Sequence, residues 1–182
     1  MERSVTSRRI PQWMDNVIIG ATRGLFEVAT RGSQLAIYEG VRLAVGAAML
    51  DPRSAGTWAL AFFGYDFLYY WAHRLAHRSG LLWASHAVHH QGTEMNVTVG
   101  LRAAITNSFM HLPFFLVLAA IGVPGSVYLG VSAVHLLVMT WLHTERIGPL
   151  PLLSGWLNTP ALHRIHHRGV SMAQHHRPPP HR

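Results

Sequence analysis

The stretch "YYWAHRLAHRSGLLWASHAVHH", residues 69–90, continues an apolar run into a segment with five closely spaced histidines. His73 and His77 are spaced i,i+4, which places both imidazoles on one face of a helix. The pair "SG" at 79–80 interrupts this helix. A second helix then carries the other three histidines at i, i+3 and i+4: His86, His89 and His90. The stretch therefore predicts two closely linked helices that bring imidazoles together.

The triplet spacing recurs in "LNTPALHRIHH", residues 157–167. Thr159 is a typical N-cap, and Pro160 suits the first position of the helix that follows. That helix carries three histidines at the same spacing: His163, His166 and His167. One more, His143, stands in "WLHTERIG" just past an apolar run. A second triplet on a helix and the single His143 thus add to the five histidines of residues 69–90.

The repeated triplets indicate metal binding. Adjacent histidines point about 100° apart on a helix, so one triplet can supply two neighbouring ions. Neutral imidazole suits Zn, Cu, Fe or Ni. Eight histidines exceed what one ion can bind, and two ions with four or five nitrogens each fit better, with His143 as a ninth candidate ligand. The alternative is a generic histidine-rich tract or a set of interfacial polar residues, which the repeated spacing disfavours.

The composition narrows the class of protein. The chain has 182 residues, of which 49% are hydrophobic and only 13% are charged, against about 25% charged in a soluble domain. It has no cysteine, which excludes disulfides, zinc ribbons, thiolate-bound iron–sulfur clusters and a cysteine nucleophile. The net charge of +7 does not predict nucleic-acid binding, because the arginines are scattered among apolar runs and form no basic stripe.

Four apolar stretches predict an all-α integral membrane protein, since each approaches the roughly 17–25 residues of a spanning helix. They cover residues 34–50, 57–73, 104–122 and 126–142. The first contains Glu39 and Arg42, whose i,i+3 spacing lets them form an ion pair. A soluble helical protein whose buried helices resemble spans is the alternative.

The connections between these stretches predict two helical hairpins. "DPRSA" at 51–55 and "VPG" at 123–125 are short turn-forming links. Both hairpins then open to the same side, which holds all the clustered histidines and thirteen of the fifteen arginines. The positive-inside rule places this side, a histidine-rich helical cap, in the cytoplasm. The predicted organisation is a cytoplasmic or interfacial segment (1–33), a membrane-embedded domain (34–168) and a disordered or truncated tail (169–182).

Three segments together identify a family resemblance: "DFLYYWAHRLAHRSGLLWASHAVHHQGTEMN", "LHTERIG" and "LNTPALHRIHH". They resemble the fatty acid hydroxylase / sterol desaturase superfamily, and most closely its alkylglycerol monooxygenase-like branch. The resemblance implies an integral membrane enzyme with two non-haem iron ions that uses O2 to hydroxylate or desaturate a lipid: a sterol, fatty acyl chain, ether lipid or carotenoid. The metal ligands that it implies are His73, His77, His86, His89, His90, His143, His163, His166 and His167.

Other polar residues receive weaker assignments. Asn96 and Arg102, in "EMNVTVGLR", match further positions of that branch, and we expect them to support a ligand or face the substrate. Asp66 lies two helical turns before His73 and could hold an imidazole N–H. A buried aspartate that is hydrogen-bonded within the helix bundle is an equal alternative. For His111 and His135, inside the third and fourth stretches, we expect helix–helix hydrogen bonds.

The reductant must be external, because no dinucleotide, haem or flavin motif is present. We expect an electron-donor protein or a diffusible reductant. A zinc hydrolase is disfavoured, since neither HxxHH triplet contains the carboxylate of HExxH. A transporter is disfavoured because the clusters lie at one end of the stretches. Past the last triplet this chain reads "RGVSMAQHHRPPPHR", where the family usually continues with another segment. An inactive, truncated metal-binding homologue therefore stays open.

Overall fold

The computed structural model describes residues 10–175, and over this range it contains helices and no strand. The predicted all-α class is therefore confirmed for the described part of the chain. A 3-10 turn, Val97–Leu101, separates the third helix from the fourth. The α-helices are α1 Gln12–Ala44, α2 Ala55–Ala76, α3 Gly80–His90, α4 Asn107–Ala120, α5 Gly125–Trp141, α6 Pro151–Ser154 and α7 Pro160–His175.

Three of the four predicted apolar stretches coincide closely with α2, α4 and α5. The first, 34–50, is wrong at both ends. α1 begins at Gln12 and ends at Ala44, and Gly46 then turns the chain with a φ of +67°. The boundary predicted between residues 33 and 34 falls inside this helix. In the range 10–175, the helices fall short of the combined length and apolarity that a membrane crossing requires.

The loops that join α1 to α2 and α4 to α5 meet at one end of the bundle, here called the closed end. The Leu50 N–H donates to the Gly122 carbonyl at 2.9 Å. Gly122 has a φ of +90°, and a Cβ there would lie 2.2 Å from the Ala48 carbonyl oxygen, so only glycine fits. The Tyr38 hydroxyl donates to the Val123 carbonyl at 3.1 Å. α1 therefore packs against the second hairpin at its turn.

The core between α1, α2, α4 and α5 is aromatic. Tyr38 stacks on Tyr128 with ring centroids 4.6 Å apart, and Tyr65 stacks on Phe115 at 4.2 Å. Such pairs contribute about 0.5–1.5 kcal/mol beyond the area that they bury. Ala61 is fully buried beside them, and its small side chain lets α2 approach its neighbours closely. Aromatic packing thus fixes how the two hairpins meet.

The predicted Glu39–Arg42 ion pair is confirmed, with Arg42 Nε 2.6 Å from Glu39 Oε2. Glu39 also has a role that its spacing did not predict. Its Oε1 accepts from the backbone N–H of Gly125, the first residue of α5, at 2.9 Å. A carboxylate at a helix N-terminus is stabilised by the helix dipole. The charged pair inside the first apolar stretch therefore joins α1 to α5.

The outward faces of the long helices are apolar, whereas α1 turns polar side chains inward. Leu25 and Val28 of α1 are 74% and 78% exposed, and Phe63 of α2 is also largely exposed. Asn16 and Gln34, on the opposite face of α1, are buried. This arrangement reverses the usual pattern of a helix that packs in water.

The last described helix, α7, extends past residue 169, the predicted start of the tail, and ends at His175. Residues 176–182, which include His176 and His181, lie outside the described range. A disordered or truncated tail therefore stays a prediction.

Candidate metal centre

All nine predicted histidines converge at the end of the bundle opposite to the closed end, here called the histidine end. They come from the last turns of α2, from α3, from the residue after the α5 C-cap and from α7. Two groups have ligand atoms that all lie within 4.8 Å of one another. Group one is His73, His77, His86 and His166, and group two is His89, His143, His163 and His167. Each triplet therefore contributes to both groups.

The ninth histidine, His90, lies between the two groups. Its Nε2 is 3.0 Å from His86 Nε2 in group one. Its ring stacks on His167 of group two, with centroids 4.3 Å apart. The structure thus brings all nine predicted ligands together, as two groups of four with one imidazole between them.

The hydrogen bonds of group two define which ring nitrogens carry protons. His89 Nδ1 donates to the Arg102 carbonyl at 2.9 Å, and His143 Nδ1 donates to the Met139 carbonyl at 2.7 Å. A carbonyl can only accept, so each neutral ring presents an unprotonated Nε2. These two Nε2 atoms lie 3.1 Å apart. Two lone pairs that face each other at this distance repel, unless a cation accepts both.

The nitrogen separations fit ligands of a common ion. A metal–nitrogen bond of about 2.1 Å places neighbouring ligand nitrogens about 3.0 Å apart at octahedral angles and about 3.4 Å at tetrahedral angles. The Nε2 atoms of His163 and His143 are 3.0 Å apart, and those of His73 and His166 are 3.1 Å apart. Both groups therefore have a donor set and a spacing that suit a transition metal.

Several buried ring nitrogens also lack a partner among the described residues. They are His73 Nδ1, His77 Nε2 and His90 Nδ1. An unsatisfied buried polar atom costs about 1–3 kcal/mol. A metal bound at His77 Nε2 would relieve one such cost, which again favours metal binding over a packed core of histidines.

Burial keeps these imidazoles neutral. Desolvation lowers the pKa of His77 and of His143 to about 4, and neighbouring imidazoles add to the effect. Desolvation, with the nearby His143, lowers the pKa of His89 to about 3. The pKa values of His86, His90, His163, His166 and His167 are lowered as well, with burial as the main cause. Neutral imidazole is the form that binds a metal.

Arg102 supports the cluster through its backbone and its side chain. Its carbonyl accepts from His89, as described above. Its guanidinium donates to the Val88 carbonyl at 2.7 Å and to Gln91 Oε1 at 3.0 Å. A cation at the C-terminus of a helix is favourable, so Arg102 also stabilises the end of α3. This placement is consistent with a residue that supports a ligand.

Asn96 and Asn16 extend this network. Asn96 Oδ1 accepts from the Thr98 N–H at 3.0 Å and so caps the 3-10 turn. The buried Asn16 of α1 donates to Thr98 Oγ1 at 2.9 Å and accepts from Arg102 at 3.3 Å. Sequence reasoning missed Asn16, because a single asparagine in a helix carries no spacing signal. It connects α1 to the residue that holds His89.

Asp66 does not support a cluster imidazole. Its side chain is 71% exposed, and its carboxylate lies 3.6 Å from His135 Nε2 on α5. Helix periodicity placed it near the face of His73, but the packing of α2 turns it outward. The alternative expectation, a buried hydrogen-bonded aspartate, is also wrong.

His111 of α4 and His135 of α5 lie within the bundle, outside the cluster. His135 contacts the ring of Tyr69 at a centroid distance of 4.4 Å, and His111 meets the same ring at 6.1 Å. Neither belongs to the two metal-binding groups. Among the described residues, neither makes a side-chain hydrogen bond, so the expected helix–helix hydrogen bonds are wrong.

Two cavities adjoin the cluster. One, of about 350 Å³, lies between α1, α2, α4 and α5 and reaches His86, His89 and His143. The other, of about 510 Å³, is lined by His167 together with Glu94 and Glu145. We call them the inner and the outer cavity. Each cavity therefore borders histidines of the candidate metal centre.

Comparison with known proteins agrees with this geometry. The fatty acid hydroxylase family model matches residues 58–177. The chain is 44% identical to the alkylglycerol monooxygenase of Danio rerio over 63% of this chain and 25% of the relative. It is 36% identical to that of Xenopus tropicalis over 87% of this chain and 35% of the relative. The ornithine lipid hydroxylase OlsE of Rhizobium tropici is 36% identical over 58% of this chain and 32% of the relative.

The resemblance identified from the histidine motifs is therefore confirmed. The chain spans about a quarter to a third of the length of the alkylglycerol monooxygenases of Danio rerio and Xenopus tropicalis. No solved structure matches it significantly.

Proposed function

The chain belongs to the fatty acid hydroxylase family, and on that premise we propose that it is a membrane-embedded oxidoreductase domain with two non-haem iron ions that hydroxylates or desaturates a lipid. One observation carries the proposal. The Nε2 atoms of His89 and His143 present lone pairs 3.1 Å apart, beside a cavity that can admit a substrate. A cation that binds both nitrogens would remove the repulsion between these lone pairs.

Group one and group two would each hold one ion, with His90 available to either. When bound, the irons supply the redox chemistry by which O2 oxidises a C–H bond. The chain's own residues do three things. Burial keeps the imidazoles unprotonated, the carbonyls of Arg102 and Met139 orient two of them, and the inner cavity holds the substrate away from bulk water. Hydrogen bonds that fix the orientation of a ligating imidazole also raise its basicity towards the metal.

The relatives support a lipid substrate. Their names specify an alkylglycerol and an ornithine lipid. We infer that this chain acts on a lipid with a polar headgroup, by hydroxylation in preference to desaturation, because both names describe hydroxylation or monooxygenation. The reductant is an electron-donor protein or a diffusible molecule that approaches from the outer cavity.

The apolar exterior supports a membrane location. Leu25, Val28, Phe63 and Leu137 are each more than 70% exposed, and exposed apolar surface on this scale marks contact with a partner or a bilayer. We propose that α2, α4, α5 and part of α1 are embedded in the bilayer, with the histidine end in the cytoplasm. The excess of arginines at that end supports this orientation.

Metal analysis tests the proposal first. We expect the 182-residue chain, expressed with supplemented iron and purified in detergent, to contain about two irons per chain, as two groups of ligands require. The double variant His89→Ala, His90→Ala should lose most of this metal. His135→Ala, which removes a buried histidine outside both groups, is the matched control and should keep it. Absence of stoichiometric metal in the unmodified chain would refute the proposal.

Catalytic turnover tests the proposed oxidation of a lipid. Iron-loaded protein is incubated in turn with an alkylglycerol, an ornithine lipid, a fatty acid and a sterol, each with a reductant and ¹⁸O2, and products are analysed by mass spectrometry. We expect one labelled oxygen atom in the product. Stoichiometric iron without product from any lipid class would instead favour a metal-binding homologue that is catalytically inactive.

A further inference from the structure

The inner cavity has a charged wall, formed by Arg23, Glu27 and Arg31 of α1. Their i, i+4, i+8 spacing places all three on one face of the helix. Arg23 Nη2 lies 2.8 Å from Glu27 Oε2, and Arg31 donates to the other carboxylate oxygen of Glu27. We call these three residues the charged triad. Sequence reasoning assigned them to an N-terminal segment and gave them no role.

The triad does not form an ordinary solvated helix face. The side chains of Arg23 and Glu27 are only 16% and 19% exposed. The outward face of the same helix instead carries the strongly exposed Leu25 and Val28. α1 therefore directs its charges into the cavity and its apolar side chains outward.

The charge of the triad is not balanced within the cavity. Two guanidinium groups share one carboxylate, which leaves one net positive charge. Among the described residues, Glu27 is the only acidic residue that lines the inner cavity. Asp66 does not line it. Arg23 Nε is buried and has no hydrogen-bond partner among the described residues. A buried charge with an unsatisfied donor is costly until a ligand pairs with it.

The cavity joins this charge to the candidate metal centre. Its lining includes the triad together with Ser108, His111, His86 and His89. Its volume of about 350 Å³ is within the range of small-molecule sites, roughly 300–1,000 Å³. A ligand that fills the cavity would therefore contact the triad at one side and approach the histidines at the other.

We propose that the charged triad binds an anionic oxygen group, a phosphate or a carboxylate, on the polar end of the substrate. The planar guanidinium suits both anions, because it offers two parallel N–H donors. Glu27 orients both arginines and reduces their combined charge. The inference rests on the proposed function for the identity of the ligand as a substrate, but the binding itself requires neither metal nor O2.

Equilibrium binding tests this proposal with three radiolabelled single-chain probes: hexadecyl phosphate, hexadecanoate and hexadecanol. The measurement uses the metal-free 182-residue chain in detergent. We expect at least one anion to bind about tenfold or more tightly than the neutral alcohol, because hydrogen bonds to charged groups are strong. The tighter of the two anions identifies the class of headgroup.

Variants of the triad have opposite expected effects. Arg23→Gln and Arg31→Gln should each weaken anion binding about tenfold and leave hexadecanol binding unchanged. Glu27→Gln, which raises the net charge, should strengthen anion binding. A gain in affinity cannot result from misfolding, so this variant keeps the test decisive. Arg53→Gln, at an exposed arginine of the closed end, is the control for loss of one positive charge and should change nothing.

Two results would overturn the proposal. One is equal affinity for all three probes in the unmodified chain. The other is weaker anion binding in Glu27→Gln, which would mean that the triad only stabilises α1. Anion binding through the triad in a chain that takes up no metal would refute the proposed function alone, so the two failures are distinguishable.

Discussion

The two ends of the bundle are stabilised in different ways. The closed end is held by backbone hydrogen bonds between loops and by stacked aromatic side chains. The histidine end buries nine imidazoles, and some of their nitrogens face each other or lack a partner. The closed end is thus held by contacts within the chain, whereas the histidine end has two groups of imidazoles that could hold a metal. The contacts that stabilise the loops and the candidate metal ligands therefore lie at opposite ends of the bundle.

Acid should have the largest effect of the changes considered, and it should act through the histidine end. Histidine in an unfolded chain titrates near pH 6.5, whereas the folded pKa values of His77 and His143 are lowered to about 4. The unfolded state therefore binds more protons below pH 6.5. Stability of the metal-free chain should be constant above this pH and decrease as the pH falls from 6.5 towards 4. Denaturant unfolding in detergent at several pH values checks this, and stability that rises on acidification would contradict it.

Metal removal should have the next largest effect. A ligand at a thousand times its Kd stabilises the folded state by about 4 kcal/mol. Chelation should therefore speed hydrogen exchange in α3 and α7 by orders of magnitude and leave residues 38–61, near the closed end, nearly unchanged. Hydrogen exchange with mass spectrometry measures both regions in one sample. Equal acceleration at both ends would show that the ends are not independent.

Gly122→Ala should destabilise the closed end without affecting the metal. The new Cβ would overlap the Ala48 carbonyl at a φ of +90°, which we expect to cost about 3 kcal/mol or more. Gly46→Ala is the matched control. It also has a positive φ but has open space around its Cβ, so about 1 kcal/mol is expected. Thermal unfolding of both variants separates the cost of the positive φ from the cost of the overlap with the Ala48 carbonyl. Metal content shows whether either change reaches the histidine end.

Gly100→Ala should act on the histidine end alone. An added Cβ would lie 2.7 Å from Thr140 Cα and 3.1 Å from His143 Nδ1. The shift of His143 should weaken metal binding at group two about tenfold, as for other changes around a ligand. Gly24→Ala, with no atom within 4 Å of its Cβ, should leave metal affinity unchanged. Metal titration of both variants provides the comparison, and equal affinities would show that His143 is not a ligand.

Tyr38→Phe should have the smallest effect. It removes one hydrogen bond to the Val123 carbonyl and keeps the stack on Tyr128. A loss of about 1 kcal/mol in unfolding free energy is expected, with metal content unchanged. A larger loss in denaturant titration would mean that this bond determines the docking of α1.

The histidine motifs were predictable because their information is local. A helix sets the direction of residues three and four positions apart, so spacing indicated eight of the imidazoles and a pair of metal ions, and His143 was added for its place after the last apolar stretch. Three apolar stretches likewise coincided with α2, α4 and α5. The end of α1 was missed although its signal is also local: Gly46 has a φ of +67° and the Ala47 N–H donates to the Arg42 carbonyl, an arrangement typical of a glycine that ends a helix.

The sequence by itself therefore determined the helical class, the family and the nine candidate ligands. The tertiary structure decided which polar residues face inward. It turned Asp66 to the surface, brought Asn16 to Arg102 and aimed the charged triad into the inner cavity. Periodicity defines which residues share a helix face, but only packing against neighbouring helices sets the rotation of that face. For this reason spacing predicted most of the candidate ligands, whereas it did not predict Asn16 or the proposed anion site.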